Sequence, residues 1–207
     1  EENILEIIEE FQNINKERPE VMLKIVYGKI HGDQEFTEKV NHYIKSLGQR
    51  LVSHSDAPAL PFKFFMVPDP TVNAFAAPGG FIGVNAGLLL TSQQEDELAS
   101  VLAHEIAHVT QRHLLRSVEK HNQSGIPRAA ALLGAALLAA VDPQAGVAAL
   151  TVVQASAVQA QIDHTRAHEA EADNLGMLNL VRSGFDAQAM PTFFERLQQT
   201  SRFYTGN

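Results

Sequence analysis

The chain has 207 residues, of which 45% are hydrophobic and 19% are charged, a balance typical of one folded domain with a substantial core. Its formal net charge of −8 argues against nucleic acid as a partner and against simple adhesion to anionic lipid. Cysteine is absent, which excludes disulfide bonds and thiol catalysis and leaves the redox compartment open.

The N-terminal part is predicted to contain two helices. Residues 2–16 have an amphipathic pattern whose apolar side consists of Ile4, Leu5, Ile7, Ile8 and Phe11. Asp33 is the expected N-cap of a second helix that ends near His54. The chain opens on Glu1 without a signal peptide, so we expect a processed or trimmed start.

Two strands are predicted around a tight turn at Pro78-Gly79-Gly80. Phe62–Val67 and Phe81–Val84 have the composition of strands on either side of it. Taken alone, the block is typical of an ordinary hairpin.

A long amphipathic helix is predicted from Ser92 to Lys120. Its apolar stripe consists of Leu98, Val101, Leu102, Ile106 and Val109. Ser92 and Glu95 have the spacing of a capping box, and the acidic residues that follow suit the helix dipole.

This helix carries the sequence His-Glu-Ile-Ala-His at residues 104–108. Positions four apart share one face of a helix, so His104 and His108 can bind one small cation. Glu105 lies beside this pair and is placed to take a proton from a metal-bound water. Burying such groups without a metal or a partner is costly, so the motif indicates a hydrolytic metal site.

A catalytic zinc usually has three protein ligands, so a third must be found. A histidine six residues after His108 is excluded because that position is Leu114, and the glycine expected with it is replaced by Gln111. A glutamate about twenty residues on is excluded because Pro127 and Arg128 occupy that stretch, and the composition excludes cysteine.

An alanine-rich segment, residues 129–160, follows this helix. Its first apolar run is too short to span a bilayer, and Asp142-Pro143 interrupts any longer span, so we do not expect a transmembrane protein. We predict a helical hairpin packed on the domain. A second hypothesis is that this segment covers the active site or contacts a membrane.

Glu169 is the remaining candidate for the third ligand. Glu169 and Asp173 lie four residues apart on a further predicted helix, so Glu169 can complete the site while Asp173 accepts the free N–H of a ligand histidine. Glu171 lies about 200° around that helix and cannot reach the same ion. After a turn at 183–186, a last helix is predicted to carry Phe193, Phe194 and Leu197.

With these motifs, the chain resembles the M48 metallopeptidases over about residues 33–200. Their signature is HExxH followed after a long insert by ExxxD, and residues 73–89 resemble the NAF…PGG…GL block that precedes their zinc helix. The resemblance implies one Zn²⁺ per chain, bound by His104, His108 and Glu169, with Glu105 as the catalytic base and Asp173 orienting a ligand. It therefore implies a zinc metalloendopeptidase. It also implies that Phe81–Val84 is an exposed edge strand beside the zinc helix, to which an extended polypeptide substrate adds through main-chain hydrogen bonds.

The resemblance also implies a fold, an organisation and a location. We expect an α+β, mostly helical zincin-like domain with a small antiparallel or mixed sheet beside the zinc helix. The single peptidase domain, 1–207, is divided into an N-terminal helix and connection (1–32), the sheet and zinc helix (33–120), the hairpin insert (121–164), and the ExxxD and C-terminal helices (165–207). The soluble, BepA-like branch of the family suggests a bacterial periplasmic or envelope-associated protein that acts on misfolded envelope proteins.

The competing function is a latent or non-catalytic zinc module that holds unfolded polypeptides, as a chaperone does. Glu105 argues against it, because a structural zinc site needs no base and favours four closed ligands. Further histidines near the motifs are predicted to lie there by chance, with His168 at the cleft, and not to form a second metal site: His113, His121, His164 and His168.

Overall fold

The structure is a computed structural model that describes residues 34–123, 125–141 and 143–205. In chain order its elements are α1 (Gln34–Ser53), β1 (Lys63–Val67), β2 (Ala74–Ala77), β3 (Phe81–Asn85), α2 (Ala86–Thr91), α3 (Glu95–Thr110), α4 (His113–Gln123), α5 (Gly125–Val141), α6 (Pro143–Arg182) and α7 (Ala189–Thr205). The mostly helical α+β class with a small mixed sheet is confirmed. The predicted helix over 2–16 and the Asp33 cap lie outside the described residues.

These elements form two compact units. One comprises the described residues up to Gln111 together with those from Ala172 onward, and the other comprises Arg112–Glu171. The first contains the sheet, α1 to α3, the end of α6 and α7, whereas the second contains α4, α5 and most of α6. Helix α6 is continuous from one unit into the other. The division of 1–207 that the sequence suggested stays a prediction.

The sheet has the strand order β1-β3-β2, and this order corrects one prediction. Strand β3 pairs in parallel with β1 and antiparallel with β2, so Phe81–Val84 lie in the central strand and not at an edge. The reason is the turn before β3, where Gly79 and Gly80 adopt φ angles of 86° and 79° and fold the chain back on itself. This turn creates β2, a strand of Ala-Phe-Ala-Ala that the sequence analysis did not predict.

The core of the first unit lies between one face of the sheet and helices α1 and α3. Alternate residues of β1 and β3 point inward, namely Phe64, Met66, Ile82 and Val84. They pack in one cluster with Ile44 and Leu51 of α1 and with the predicted stripe of α3, of which Leu98, Val101, Leu102 and Ile106 are buried. Helix α3 therefore has a fixed side against the sheet.

The helix predicted from Ser92 to Lys120 is two helices. Arg112 has a φ angle of 54°, a left-handed conformation that separates α3 from α4. The N-cap of α3 is Gln94 and not the predicted Ser92, whose hydroxyl donates to the carbonyl of Leu88 at the end of α2. The acidic first turn is present as predicted, from Glu95 to Glu97.

Residues 129–141 and 143–160 are helical, as predicted, and belong to α5 and α6. Helix α6 extends over 40 residues, so the ExxxD segment is its continuation and not a separate helix. Among the described residues, no helix is both long and apolar enough to cross a membrane.

Two arginines link the C-terminal elements to earlier helices within the first unit. Arg50 of α1 donates from Nε and Nη2 to the carbonyl of Ser183, at 3.0 and 2.6 Å, where α6 has ended and Gly184 turns with a φ of 77°. Arg196 of α7 donates from Nη1 and Nη2 to the two oxygens of the buried Glu97, at 2.7 and 2.6 Å. Helix α7 is thereby held at the start of α3.

Candidate metal centre

Helix α3 presents His104 and His108 on one face, as their spacing predicted. Their Nε2 atoms lie 2.9 Å apart, and their ring centroids are separated by 4.6 Å. His104 is buried with 9% of its surface exposed, and His108 is half-buried. The two imidazoles therefore direct one nitrogen each toward a common point.

Asp173 of α6 holds the other nitrogen of His104. The Nδ1 atom of His104 lies 2.9 Å from Oδ1 of Asp173, across a separation of 69 residues in the sequence. When Nδ1 carries the proton and donates it to this carboxylate, Nε2 keeps its lone pair for a metal. The ring of Phe194 meets the His104 ring at 88°, with centroids 5.7 Å apart, and limits its rotation from another side.

Gly176 allows α6 to lie close to this part of α3. A Cβ atom at position 176 would be 3.1 Å from the backbone nitrogen of His104 and 3.2 Å from the carbonyl carbon of Ala103. Because Gly176 follows Asp173 by nearly one helical turn, this close approach places the carboxylate beside His104. No pattern in the sequence had indicated this role for Gly176.

Glu169 precedes Asp173 by one turn of α6 and is exposed. One donor atom each from His104, His108 and Glu169 lies within 4.8 Å of the other two. Two imidazole nitrogens and one carboxylate oxygen are a donor set that suits catalytic zinc and leaves a fourth position for water. Across the described residues, no other group of three such side chains comes this close together.

Glu105 and Glu171, the other two acidic residues of the motifs, have different surroundings. Glu105 is half-buried on α3, next in sequence to His104. Glu171 binds His113 and Arg116 with its Oε2 atom, at 3.1 and 2.8 Å. These hydrogen bonds, that from Arg116 first, hold the pKa of Glu171 below its ordinary value. Glu171 therefore forms its hydrogen bonds with residues of the second unit, and the sequence had not assigned it to the metal site.

Three of the histidines assigned to chance form a cluster in the second unit. His168 lies parallel to His113 with ring centroids 4.2 Å apart, and His164 is 4.0 Å away on the same helix as His168. Burial, followed by the charges of His113 and His164, lowers the pKa of His168 to about 4. His168 is thus a buried, neutral packing residue. The spacing of four residues between His164 and His168 could have predicted from the sequence that these two rings are neighbours on one helical face.

The comparisons with known proteins are consistent with this geometry. Residues 38–205 match the family described as peptidase family M48. The chain belongs to this family. It is 49% identical over 164 residues to the putative beta-barrel assembly-enhancing protease of Vibrio cholerae and 48% identical over 164 residues to the beta-barrel assembly-enhancing protease of Escherichia coli.

Each of these two alignments covers 79% of this chain and 34% of the relative, so the chain spans about a third of the length of these curated relatives. The mitochondrial metalloendopeptidase OMA1 of Arabidopsis thaliana is more distant, at 32% identity over 138 residues. That alignment covers 67% of this chain and 26% of the relative.

Proposed function

We propose that this chain is the catalytic domain of a zinc-dependent metalloendopeptidase. The observation that carries the proposal is the convergence of the two Nε2 atoms of His104 and His108 at 2.9 Å, with a carboxylate oxygen of Glu169 within 4.8 Å. Membership of peptidase family M48 supports the same reaction class. His104, His108 and Glu169 are the proposed zinc ligands.

The side chains around this centre have separate roles in the proposed reaction. Bound zinc would supply a Lewis acid that polarises the scissile carbonyl and lowers the pKa of a coordinated water. Glu105 accepts the proton of the attacking water and passes it to the leaving amine. Asp173 keeps the proton of His104 on Nδ1 and holds the ring in place, so that Nε2 stays available.

We propose β2, instead of Phe81–Val84, as the edge at which a polypeptide substrate binds. Strand β2 is the outer strand on its side of the sheet, and it lies against α3, which carries the motif. An extended segment can add to such an edge by main-chain hydrogen bonds, which recognise any sequence and leave selectivity to side chains.

We further propose that the chain acts in the bacterial envelope, facing the periplasm, on misfolded envelope proteins. The bacterial relatives are named beta-barrel assembly-enhancing proteases, which supports an envelope substrate. The same proposal includes contact of residues 129–160 with a membrane. Its support is the exposure of Leu133, Val147 and Val152, each with more than 60% of its surface accessible.

A latent or non-catalytic zinc module remains the second candidate and is not favoured, because the relatives are named proteases. Zinc content and casein cleavage, measured side by side for the wild type and for Glu105→Gln, separate the two. We expect about one zinc per chain in both proteins and a loss of about 10²- to 10⁴-fold in cleavage for the variant. If both bind zinc and neither cleaves casein, the catalytic proposal is wrong for this chain.

A further inference from the structure

The outer face of the sheet carries a row of three residues at the candidate substrate edge. In the strand register, Phe65 of β1 and Phe75 of β2 both lie opposite Gly83 of β3. The two aromatic rings meet edge to face at 77°, with centroids 6.2 Å apart. A Cβ atom at position 83 would lie 2.5 Å from the ring of Phe75, so the glycine lets this ring lie across β3.

The ring of Phe75 is therefore held in place on one side and exposed on the other. Its ring rests on Gly83 and Phe65, yet 38% of the residue is exposed on the outermost strand of that side. An aromatic side chain held in this way loses little conformational entropy when a further side chain packs on it.

The hydrogen-bond pattern of β2 determines which of its residues can pair with an added strand. The N–H of Asn85 donates to the carbonyl of Asn73 at 3.0 Å, which makes this a hydrogen-bonded pair. Hydrogen-bonded and non-hydrogen-bonded pairs alternate along an antiparallel ladder, so Phe75, two residues after Asn73, also directs its N–H and C=O groups toward β3. Ala74 and Ala76 then direct their N–H and C=O groups away from β3, toward the free edge.

We propose that Phe75 is a specificity-determining residue that favours substrates with an aromatic side chain at one position. An extended polypeptide that adds antiparallel to β2 would bond to Ala74 and Ala76. The substrate residue between those two contacts would then face Phe75 in a non-hydrogen-bonded pair, the arrangement with the closer side chains. This inference rests on the proposed peptidase function and names a substrate class for the same site.

Phe81 provides a matched control for this role. It is also 38% exposed and lies on the same face of the sheet as Phe75. However, Phe81 is in the central strand, between Lys63 of β1, whose Nζ is 4.9 Å from the ring centroid, and Ala77 of β2. A strand added to β2 would not have Phe81 as its cross-strand neighbour.

The test measures binding, so that it does not depend on turnover. The zinc-loaded Glu105→Gln protein is titrated with two fluorescein-labelled, β-prone peptides that differ only by Phe or Ala at one central position, and fluorescence anisotropy gives each Kd. We expect the Phe peptide to bind about fivefold more tightly, the factor typical of a cross-strand aromatic pair. Phe75→Ala should remove this preference by weakening the binding of the Phe peptide, whereas Phe75→Leu should retain part of it and Phe81→Ala all of it.

The inference is wrong if Phe75→Ala and Phe81→Ala lose the preference for the Phe peptide equally. It is also wrong if the preference persists in Phe75→Ala, or if neither peptide binds. Thermal melts of each variant verify that it is folded. Casein cleavage by the wild type is measured separately. A wild type that cleaves casein while the preference is absent refutes the role of Phe75 and leaves the proposed function intact.

Discussion

Asp173 contacts the candidate metal centre through His104, whose Nδ1 atom lies 2.9 Å from its carboxylate. Replacing Asp173 by Ala removes the acceptor, so the proton of His104 is no longer confined to Nδ1 and the ring loses its orientation. We expect zinc affinity to fall by about 10- to 100-fold, with Asp173→Asn falling between Ala and the wild type. Competition with a chromogenic zinc chelator measures this change.

Glu171→Gln is the control for Asp173, because Glu171 lies on the same helix but bonds to His113 and Arg116. Its zinc affinity should equal that of the wild type. An unchanged affinity in Asp173→Ala would show that this carboxylate does not position a ligand.

Arg112 adopts a backbone conformation that costs free energy for any residue with a side chain. Its φ angle is 54°, and the arginine is exposed. Glycine has no Cβ and tolerates this region, so Arg112→Gly should raise the free energy of unfolding by about 0.5–1 kcal/mol in urea denaturation. Gln111→Gly is the matched control, because Gln111 has φ −83° and gains nothing from glycine. We expect Gln111→Gly to lower the free energy of unfolding by about 0.5–1 kcal/mol. If Arg112→Gly and Gln111→Gly change the free energy of unfolding in the same direction, the strain argument is wrong.

At the scale of the elements, the ion pair between Glu97 and Arg196 fixes α7 to the start of α3. Glu97 is 5% exposed, so Glu97→Ala removes the carboxylate that balances the charge of the partly buried Arg196 guanidinium, whose contacts with Oε1 of Gln93 and the carbonyl of Thr91 are to neutral acceptors. We expect a loss of about 3 kcal/mol in the free energy of unfolding, measured by urea denaturation.

The ion pair between Asp56 and Arg182 is the control for the Glu97 and Arg196 pair. It has a similar N–O distance of 2.7 Å, but both side chains are about half exposed. Asp56→Ala should therefore cost less than about 1 kcal/mol. Equal costs for Glu97→Ala and Asp56→Ala would mean that burial does not set the strength of the pair.

The helix that carries His104 and His108 could be predicted from the sequence because its apolar stripe and its histidine spacing both follow the helical period. Strand β2 could not be predicted, since Ala-Phe-Ala-Ala has little strand propensity and forms a strand only because the turn at Gly79 and Gly80 lays it against β3. The break at Arg112 was missed for a related reason, because arginine is a good helix former and gives no stop signal. Strand β2 and the break at Arg112 both depend on backbone conformation, which the pattern of side chains does not determine.

At the scale of the whole molecule, the candidate site depends on contacts distant in sequence. The pairing of Glu169 with the histidine motif was predicted because two short motifs have spacings that each place a pair of side chains on one helical face. The structure brings their donor atoms within 4.8 Å, whereas the role of each residue stays a prediction. The residues that position His104, Phe194 and Gly176 among them, could not be identified because each acts through a contact between helices far apart in the chain.

Removal of metal tests whether these distant residues act as one site in the folded chain. An ion that binds only the folded state stabilises it by RT ln(1 + [Zn²⁺]/Kd), which is about 3 kcal/mol when free zinc is a hundred times Kd. For a chain of this length that free energy corresponds to about 5 to 10 °C in Tm, so we expect EDTA to lower the Tm by this amount and added zinc to restore it in a circular dichroism melt. His108→Ala lacks one proposed ligand and should melt at nearly the same temperature with and without EDTA. If the wild type is equally insensitive to EDTA, then His104, His108 and Glu169 do not bind an ion together, because an ion shared by α3 and α6 must make unfolding more costly.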